Sequence, residues 1–340
     1  MESALTTTPP VRRAISIASA DLPLAVGPAM STALILSPCR TPVLAMFVAT
    51  LVSAHGQALV SEAVLAGLAR SVPGIARTAA LDGAIAADLF AEAIDARKLE
   101  ADIRSALADA PIDVIVQPVA TRRKALFLAD MDSTMIGQEC IDELADVVGL
   151  KEHVAAITER AMRGEIAFEP ALRERVALLK GVPLGVVEEI IQNRITLTPG
   201  GRELVRTMRA HGGYTALVSG GFTVFTGPIS AVIGFDEHRS NLLLADDGIL
   251  RGEVAEPILG KQAKLDALVE LRARFNLAPE ATLAVGDGAN DLAMLGEAGL
   301  GAAFRAKPAV AAAADARLDH ADLTALLYAQ GYAGSEIVRD

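Results

Sequence analysis

Two carboxylates one residue apart, Asp130 and Asp132, open the stretch Asp130-Met131-Asp132-Ser133-Thr134, directly after the apolar run Ala125-Leu126-Phe127-Leu128-Ala129. That run has the length and flanks of a buried strand. At a strand's carboxyl end the backbone leaves regular alternation, so both acids can face one crevice, and open α/β sheets bind ligands in such crevices. Two acids there can divide the work. One can attack as a nucleophile, and the other can give and take a proton. A divalent cation would offset their repulsion. Taken alone, the pattern more often marks the solvated start of a loop, so its meaning depends on the rest of the chain.

Two further predicted strands end in polar residues. Residues 215–218 run into Ser219-Gly220-Gly221, and residues 282–285 into Gly286-Asp287-Gly288-Ala289-Asn290-Asp291. A hydroxyl followed by two glycines brings backbone N–H groups close to a phosphoryl oxygen. Asp287, freed by its flanking glycines, would join Asp130 and the backbone carbonyl of Asp132 around Mg2+. That ion suits a hard, all-oxygen set with few protein ligands. Asp291 can orient this set or a metal-bound water. A cation for the phosphate and the attacking carboxylate is still needed. Lys264, on a predicted helix over 261–275, is the first choice, and Lys261, one turn earlier, the second.

The elements that must position these residues follow from the chain's patterning. The 340 residues suffice for two domains. A hydrophobic content of 52% against 21% charged residues marks a globular protein, and 4% aromatics with no Trp make its core aliphatic. The net charge of −11 argues against a nucleic-acid partner. A small phosphorylated ligand remains compatible, since a metal and a few local cations neutralise it. Cys39 and Cys140 are the only cysteines, which implies no disulfide framework and a reducing, cytoplasmic setting.

Residues 1–40 read as a poorly ordered extension. Arg12-Arg13 before an apolar region resembles a signal sequence, but Asp21, Pro23 and Pro28 interrupt it. No run reaches the roughly 20 apolar residues of a membrane span. Residues 41–120 read as strand, helix, strand, strand, helix, strand, the ferredoxin-like order. This module holds no catalytic cluster and is a candidate for packing, homodimerisation or effector binding. The basic junction Thr121-Arg122-Arg123-Lys124 reads as a solvated linker. A chain beginning near Arg122 is therefore expected to fold and keep its chemistry.

Residues 138–198 read as an inserted set of helices, a lid that can exclude water. Beyond it, helix and strand alternate, with a hairpin turning at Asp246-Asp247-Gly248 and a helix whose Leu265, Leu268 and Val269 face inward. Alternation of this kind implies a doubly wound parallel sheet. Residues 121–137 and 199–333 then form the catalytic core.

Together, Asp130-x-Asp132-x-Thr134, Ser219, Lys264 and Gly286-Asp287-Gly288-x-x-Asp291 resemble the haloacid dehalogenase superfamily in its phosphatase branch. With Glu139, residues 168–179 and Phe222, the resemblance extends over about 125–330 to the phosphoserine phosphatases. It implies Mg2+-dependent hydrolysis of L-phosphoserine, the last step of serine biosynthesis. Asp130 is then the nucleophile, Asp132 the general acid and base, and Ser219 and Lys264 the phosphoryl ligands. Glu139 would contact the substrate ammonium and Arg175 its carboxylate, with Met162, Phe168, Gly220 and Asn290 around them. The amino-terminal module resembles the regulatory modules called ACT, although no ligand loop stands out.

Other readings are open at this stage. A phospho-receiver shares the strand-end Asp, metal, hydroxyl and lysine, but has no role for Asp132 or for a helical insertion. A dinucleotide-binding dehydrogenase would place Gly-x-Gly-x-x-Gly after its first strand, where this chain has Asp-x-Asp. Within the phosphatases, phosphothreonine, phosphohomoserine or transfer to another acceptor are the rivals.

Overall fold

The computed structural model describes residues 45–93, 95–163 and 165–339, and the reading of residues 1–40 lies outside them. The amino-terminal part is a four-stranded antiparallel sheet. It comprises β1 (Ala45–Ser53), α1 (Glu62–Ser71), β2 (Ile75–Asp82), β3 (Ala86–Ala93), α2 (Ala96–Leu107) and β4 (Ile112–Pro118), with strand order β2-β3-β1-β4. The order of elements is the one the sequence pattern predicts. Ser61 and Asp95 cap the two helices through their side chains. Leu65, Leu68, Leu99 and Ile103 bury the helices against Ala49, Leu51, Leu89 and Val114.

The second part is built on β5 (Leu126–Ala129). A helical insertion follows: α3 (Cys140–Val147), α4 (Lys151–Met162), α5 (Phe168–Ala177) and α6 (Gly185–Asn193). The chain returns through α7 (Gly201–Ala210), β6 (Tyr214–Phe222), α8 (Thr223–Ile233) and β7 (Glu237–Asn241). The hairpin β8 (Leu243–Asp246) and β9 (Ile249–Val254) comes next, then α9 (Lys261–Arg274) and β10 (Thr282–Gly286). The remaining elements are α10 (Leu292–Glu297), β11 (Gly301–Phe304), α11 (Pro308–Ala313), β12 (Ala316–Leu318) and α12 (Ala325–Ala329). Six strands make one sheet in the order β12-β11-β10-β5-β6-β7, and its pairings are parallel. β5 and β10 are buried throughout, as strands with helices on both faces must be. From β5 the chain builds outward to β6 and β7, then crosses back to β10, β11 and β12. Strand order therefore reverses between β5 and β10, and the carboxyl ends of those strands flank the crevice that such a reversal opens.

The hairpin turns at Asp247-Gly248 as predicted, both in the left-handed region. It stands outside the six-stranded sheet and pairs with the lid through Gly181, Val182 and Leu184. Two other expectations are corrected. Val269 is 40% exposed, because the inward stripe of α9 runs through Lys264, Ala267, Leu268 and Leu271 at helical spacing.

The second correction concerns the basic junction, which is no solvated linker. Arg122 donates to both oxygens of buried Asp88 at 2.8 and 3.0 Å and to the carbonyls of Tyr328 and Ala329. Arg123 lies 3.5 Å over the Tyr332 ring. Lys124, 4% exposed, donates to the carbonyls of Thr121 and Glu280. Gln117 adds a bond to Ala329, Tyr328 donates to Asp82 at 2.6 Å, and Asp113 accepts from the backbone of 319–321. Val52, Ala86 and Ile115 share one core with Leu323 and Tyr328. Cutting the chain near Arg122 would expose that surface and deprive Arg122 of Asp88, Tyr328 of Asp82 and the N–H groups of 319–321 of Asp113, so independent folding of the remainder does not follow. Among the described residues no helix is long and apolar enough to cross a membrane.

Candidate active site

Asp130 is the first residue beyond β5 and only 5% exposed. Its backbone N–H still donates to Val285 across the sheet, and its carboxylate accepts from the N–H of Met131 at 2.7 Å. The chain then turns sharply. Asp132 is extended, and Ser133 sits at φ 55°, in the left-handed region that a non-glycine residue occupies only when its surroundings enforce it. This turn sets the Asp132 carboxylate against Gly221, where a Cβ would meet it at 3.3 Å.

The helix phase of α9 selects the lysine. Lys261 is exposed, whereas Lys264 lies one turn before Leu268 on the sheet-facing stripe and is 2% exposed. Its ammonium reaches Asp130 Oδ1 at 2.6 Å and Asp291 Oδ1 at 2.7 Å. Burial pulls the ammonium down, but the two carboxylates outweigh burial and hold it above the usual lysine range. Asp291 is itself raised to about 7, by burial and then by Asp130, against the pull of Lys264. Its other oxygen accepts from the N–H of Gly288 at 3.0 Å. A Cβ at residue 286 would run into this carboxylate, which is why glycine stands there.

Asp287 accepts a long bond from Thr134 Oγ1, 3.4 Å, and burial followed by the Asp130 charge raises it as well. Asp130, Asp287 and Asp291 bring carboxylate oxygens within 4.8 Å of one another. Three carboxylates share one ammonium, so negative charge is in excess whenever the acids are ionised. A hard divalent cation fits this oxygen set and balances that charge. Asp132 faces the same centre. Burial, then the charges of Glu139 and Asp130, push it well above the usual carboxylate range. A carboxyl pushed toward its protonated form beside an acid that an ammonium contacts is the division expected of a proton donor and a nucleophile.

Ser219 ends the regular part of β6, 2% exposed, and its Oγ accepts from the N–H of Gly221 at 2.9 Å. The lid supplies the remaining predicted residues. Glu139 precedes α3 and accepts from Ser133 Oγ at 2.7 Å; burial raises its carboxyl despite that bond. Arg175, on α5, donates to Thr158 Oγ1 and to the Ala171 carbonyl, each at 3.3 Å. Burial lowers it, and Asp142 and Glu139 pull it back up. Phe168 lies against two core glycines: a Cβ at Gly220 would meet its ring at 3.5 Å and one at Gly260 at 3.3 Å. Asn290 is exposed, its side-chain oxygen against Gly288. The Met162 side chain lies outside the described residues. A cleft of about 710 Å³ opens elsewhere, between the His55–Ala58 loop and the Leu197–Glu203 segment, and none of the acids above lines it.

The model of haloacid dehalogenase-like hydrolases matches residues 127–296, half of the chain and all of the residues that meet at the crevice. The chain belongs to that family. Among haloacid dehalogenase-like relatives, the phosphoserine phosphatase of Saccharomyces cerevisiae is 36% identical over 84% of this chain and 96% of its own. That of Archaeoglobus fulgidus is 42% identical over 68% of each chain. Among solved structures, a probable phosphoserine phosphatase from Vibrio cholerae superposes with a TM-score of 0.68 at 32% identity, over 84% of this chain and 87% of the other.

Thr134, the last residue of the motif that opens at Asp130, is fully buried against Asp287. Within this haloacid dehalogenase-like site, Asn241 escapes a reading by motif, because it ends a short polar strand whose sequence carries no strand signal.

Proposed function

We propose that the protein hydrolyses L-phosphoserine to L-serine and phosphate through an aspartyl-phosphate on Asp130. The observation that carries this reading is the acid pair of buried Asp130 and half-buried Asp132 beside Lys264, under a lid that carries Glu139 and the half-buried Arg175. Asp130 attacks phosphorus, the bond from phosphorus to the serine oxygen breaks, and the protonated Asp132 gives its proton to the leaving oxygen. In the second step Asp132 takes a proton from water as the water oxygen attacks phosphorus, and the Asp130 carboxylate is released. Lys264 and the Ser219 hydroxyl face the charge that develops on the phosphoryl oxygens. Mg2+, held by Asp130, Asp287 and the Asp132 backbone carbonyl with Asp291 behind them, would neutralise that charge. The ammonium of the substrate is assigned to Glu139 and its carboxylate to the planar fork of Arg175. Such an enzyme completes serine biosynthesis.

The test of the substrate is a comparison of two phosphomonoesters. Charged hydrogen bonds contribute roughly 1.5–3 kcal/mol, or about one to two decades in kcat/KM. Arg175→Ala and Glu139→Ala should each lose at least about tenfold on L-phosphoserine and far less on an aryl phosphate that the wild type also hydrolyses. Equal losses on both substrates would remove the basis for assigning phosphoserine.

The metal is tested by thermal unfolding. Asp287 and Asp291 are raised by burial and by the Asp130 charge, so a cation relieves repulsion that protons otherwise relieve. Mg2+ should raise the melting temperature, and more so at pH 8 than at pH 5, where protons compete for the same oxygens. Asp287→Ala should abolish the shift. A shift of the same size at both pH values, or one kept in Asp287→Ala, would place the metal elsewhere.

A further inference from the structure

We infer that Asn241 is a positioning residue, one that ties the phosphate-binding end of β6 to the start of the helix carrying Lys264. The inference rests on the phosphatase reading above and deepens it.

β6 and β7 pair regularly from Ala216 opposite Glu237 to Val218 opposite Arg239, and pairing resumes at Phe222 opposite Asn241. Four residues advance on β6 while two advance on β7, so Ser219-Gly220-Gly221 is pushed out of the ladder. A bulge of this kind aims side chains and N–H groups at a site, but it also deprives the bulged backbone of its ladder partners. Asn241, 2% exposed, replaces one of them: its Nδ2 donates to the carbonyl of Gly220 at 2.9 Å.

The same amide reaches the other way. Nδ2 also donates to the carbonyl of Leu259 at 3.2 Å, and Oδ1 accepts from the N–H of Leu259 at 2.7 Å. Two carbonyls on one end and an N–H on the other fix the orientation of the amide, and both of its donors are used. Leu259 directly precedes Gly260, the residue from which α9 starts. One buried side chain therefore sets the spacing between Ser219-Gly220 and the helix that delivers Lys264 to Asp130. It also holds together the two glycines, 220 and 260, against which Phe168 of the lid rests. Ser219, Lys264 and the lid contact come from three distant stretches of chain, and no backbone ladder joins the first to the second at this point.

The probe is inorganic phosphate, bound to the full chain with Mg2+ present and measured by calorimetry. Asn241→Asp keeps the shape and the bond from the Leu259 N–H, but turns an acceptor toward the carbonyls of Gly220 and Leu259. Asn241→Ala deletes all three bonds. Both should weaken phosphate binding by about tenfold or more and lower kcat/KM on an aryl phosphate by at least as much. If Asn241→Ala fails to fold, the Asp variant carries the test. A merely structural role would lower the melting temperature and the active fraction while the phosphate Kd stayed at its wild-type value, and that result would overturn the inference. Wild-type protein that binds phosphate but releases none from L-phosphoserine would remove the substrate reading and leave the role of Asn241 to be decided by the variants. Wild-type protein that binds no phosphate would remove both.

Discussion

Replacing Asp130 by Asn should bring phosphate release from L-phosphoserine below detection without disturbing the fold. The side chains are isosteric, and Lys264 keeps Asp291 as a partner at 2.7 Å. An amide has no anionic oxygen with which to attack phosphorus, so the first bond of the proposed route cannot form. Asp132→Asn should be less absolute. It removes a proton donor that burial, Glu139 and Asp130 hold well above the usual carboxylate range, and loss of such transfer costs about 10²–10⁴-fold. The two variants therefore separate nucleophile from acid. Single-turnover assays with rapid acid quench should detect labelled phosphoenzyme in the wild type and none in Asp130→Asn. Turnover by freshly purified Asp130→Asn, with deamidation excluded by mass spectrometry, would end the aspartyl-phosphate route.

The second large effect belongs to Lys264→Met, and it strikes stability as well as rate. The ammonium is 2% exposed and lies between the carboxylates of Asp130 and Asp291. Methionine preserves most of the stem but leaves two buried acids facing each other. Breaking a buried ion pair from one side costs about 3–5 kcal/mol, and the melting temperature should drop by on the order of 10 °C. Loss of one preorganised charge at the transferring group costs about 10²–10³ in kcat.

The pH dependence of stability in this variant has a definite sign. Asp291, already raised to about 7 with the ammonium in place, rises further without it. A carboxyl raised in the folded state holds a proton there that the unfolded chain has released above about pH 3.9. Its contribution is therefore most favourable at the acid end and is lost as pH rises toward and through 7. Lys264→Met should thus regain part of its melting temperature at pH 5. A variant equally stable at pH 5 and pH 8, or one with wild-type kcat, would show that Lys264 lies outside the reacting centre.

The predicted residues differ in how they became visible. β5, β6 and β10 were readable because each is a short, largely apolar run that ends in glycines, acids or a hydroxyl, and burial on both faces forces that composition locally. The lid helices and α7 were readable from their periodic apolar stripes. The choice between Lys261 and Lys264 needed only the correct helix phase, and the same phase explains why Val269 faces outward. β7 and β12 were not readable. They are short edge strands, one of them polar, and their strand state comes from a neighbour's open hydrogen bonds rather than from their own side chains. The basic junction misled for a related reason. Four charged or polar residues in sequence look solvated until the chain brings Asp88, Glu280 and the carbonyls of 328 and 329 to them, across separations of 34 to 207 residues.

Local pattern marks which side chains can do the chemistry, because acids, hydroxyl and lysine sit at strand ends and on a helix stripe. Their charges and spacing come from contacts between distant parts of the chain. Desolvation and mutual repulsion raise Asp132, Asp287 and Asp291 only once three distant strand ends share one buried crevice. The bulge at Ser219 is anchored only once Asn241 reaches across to Gly220 and Leu259. Both effects depend on what lies within a few ångströms in space, and a linear pattern records only what lies next along the chain.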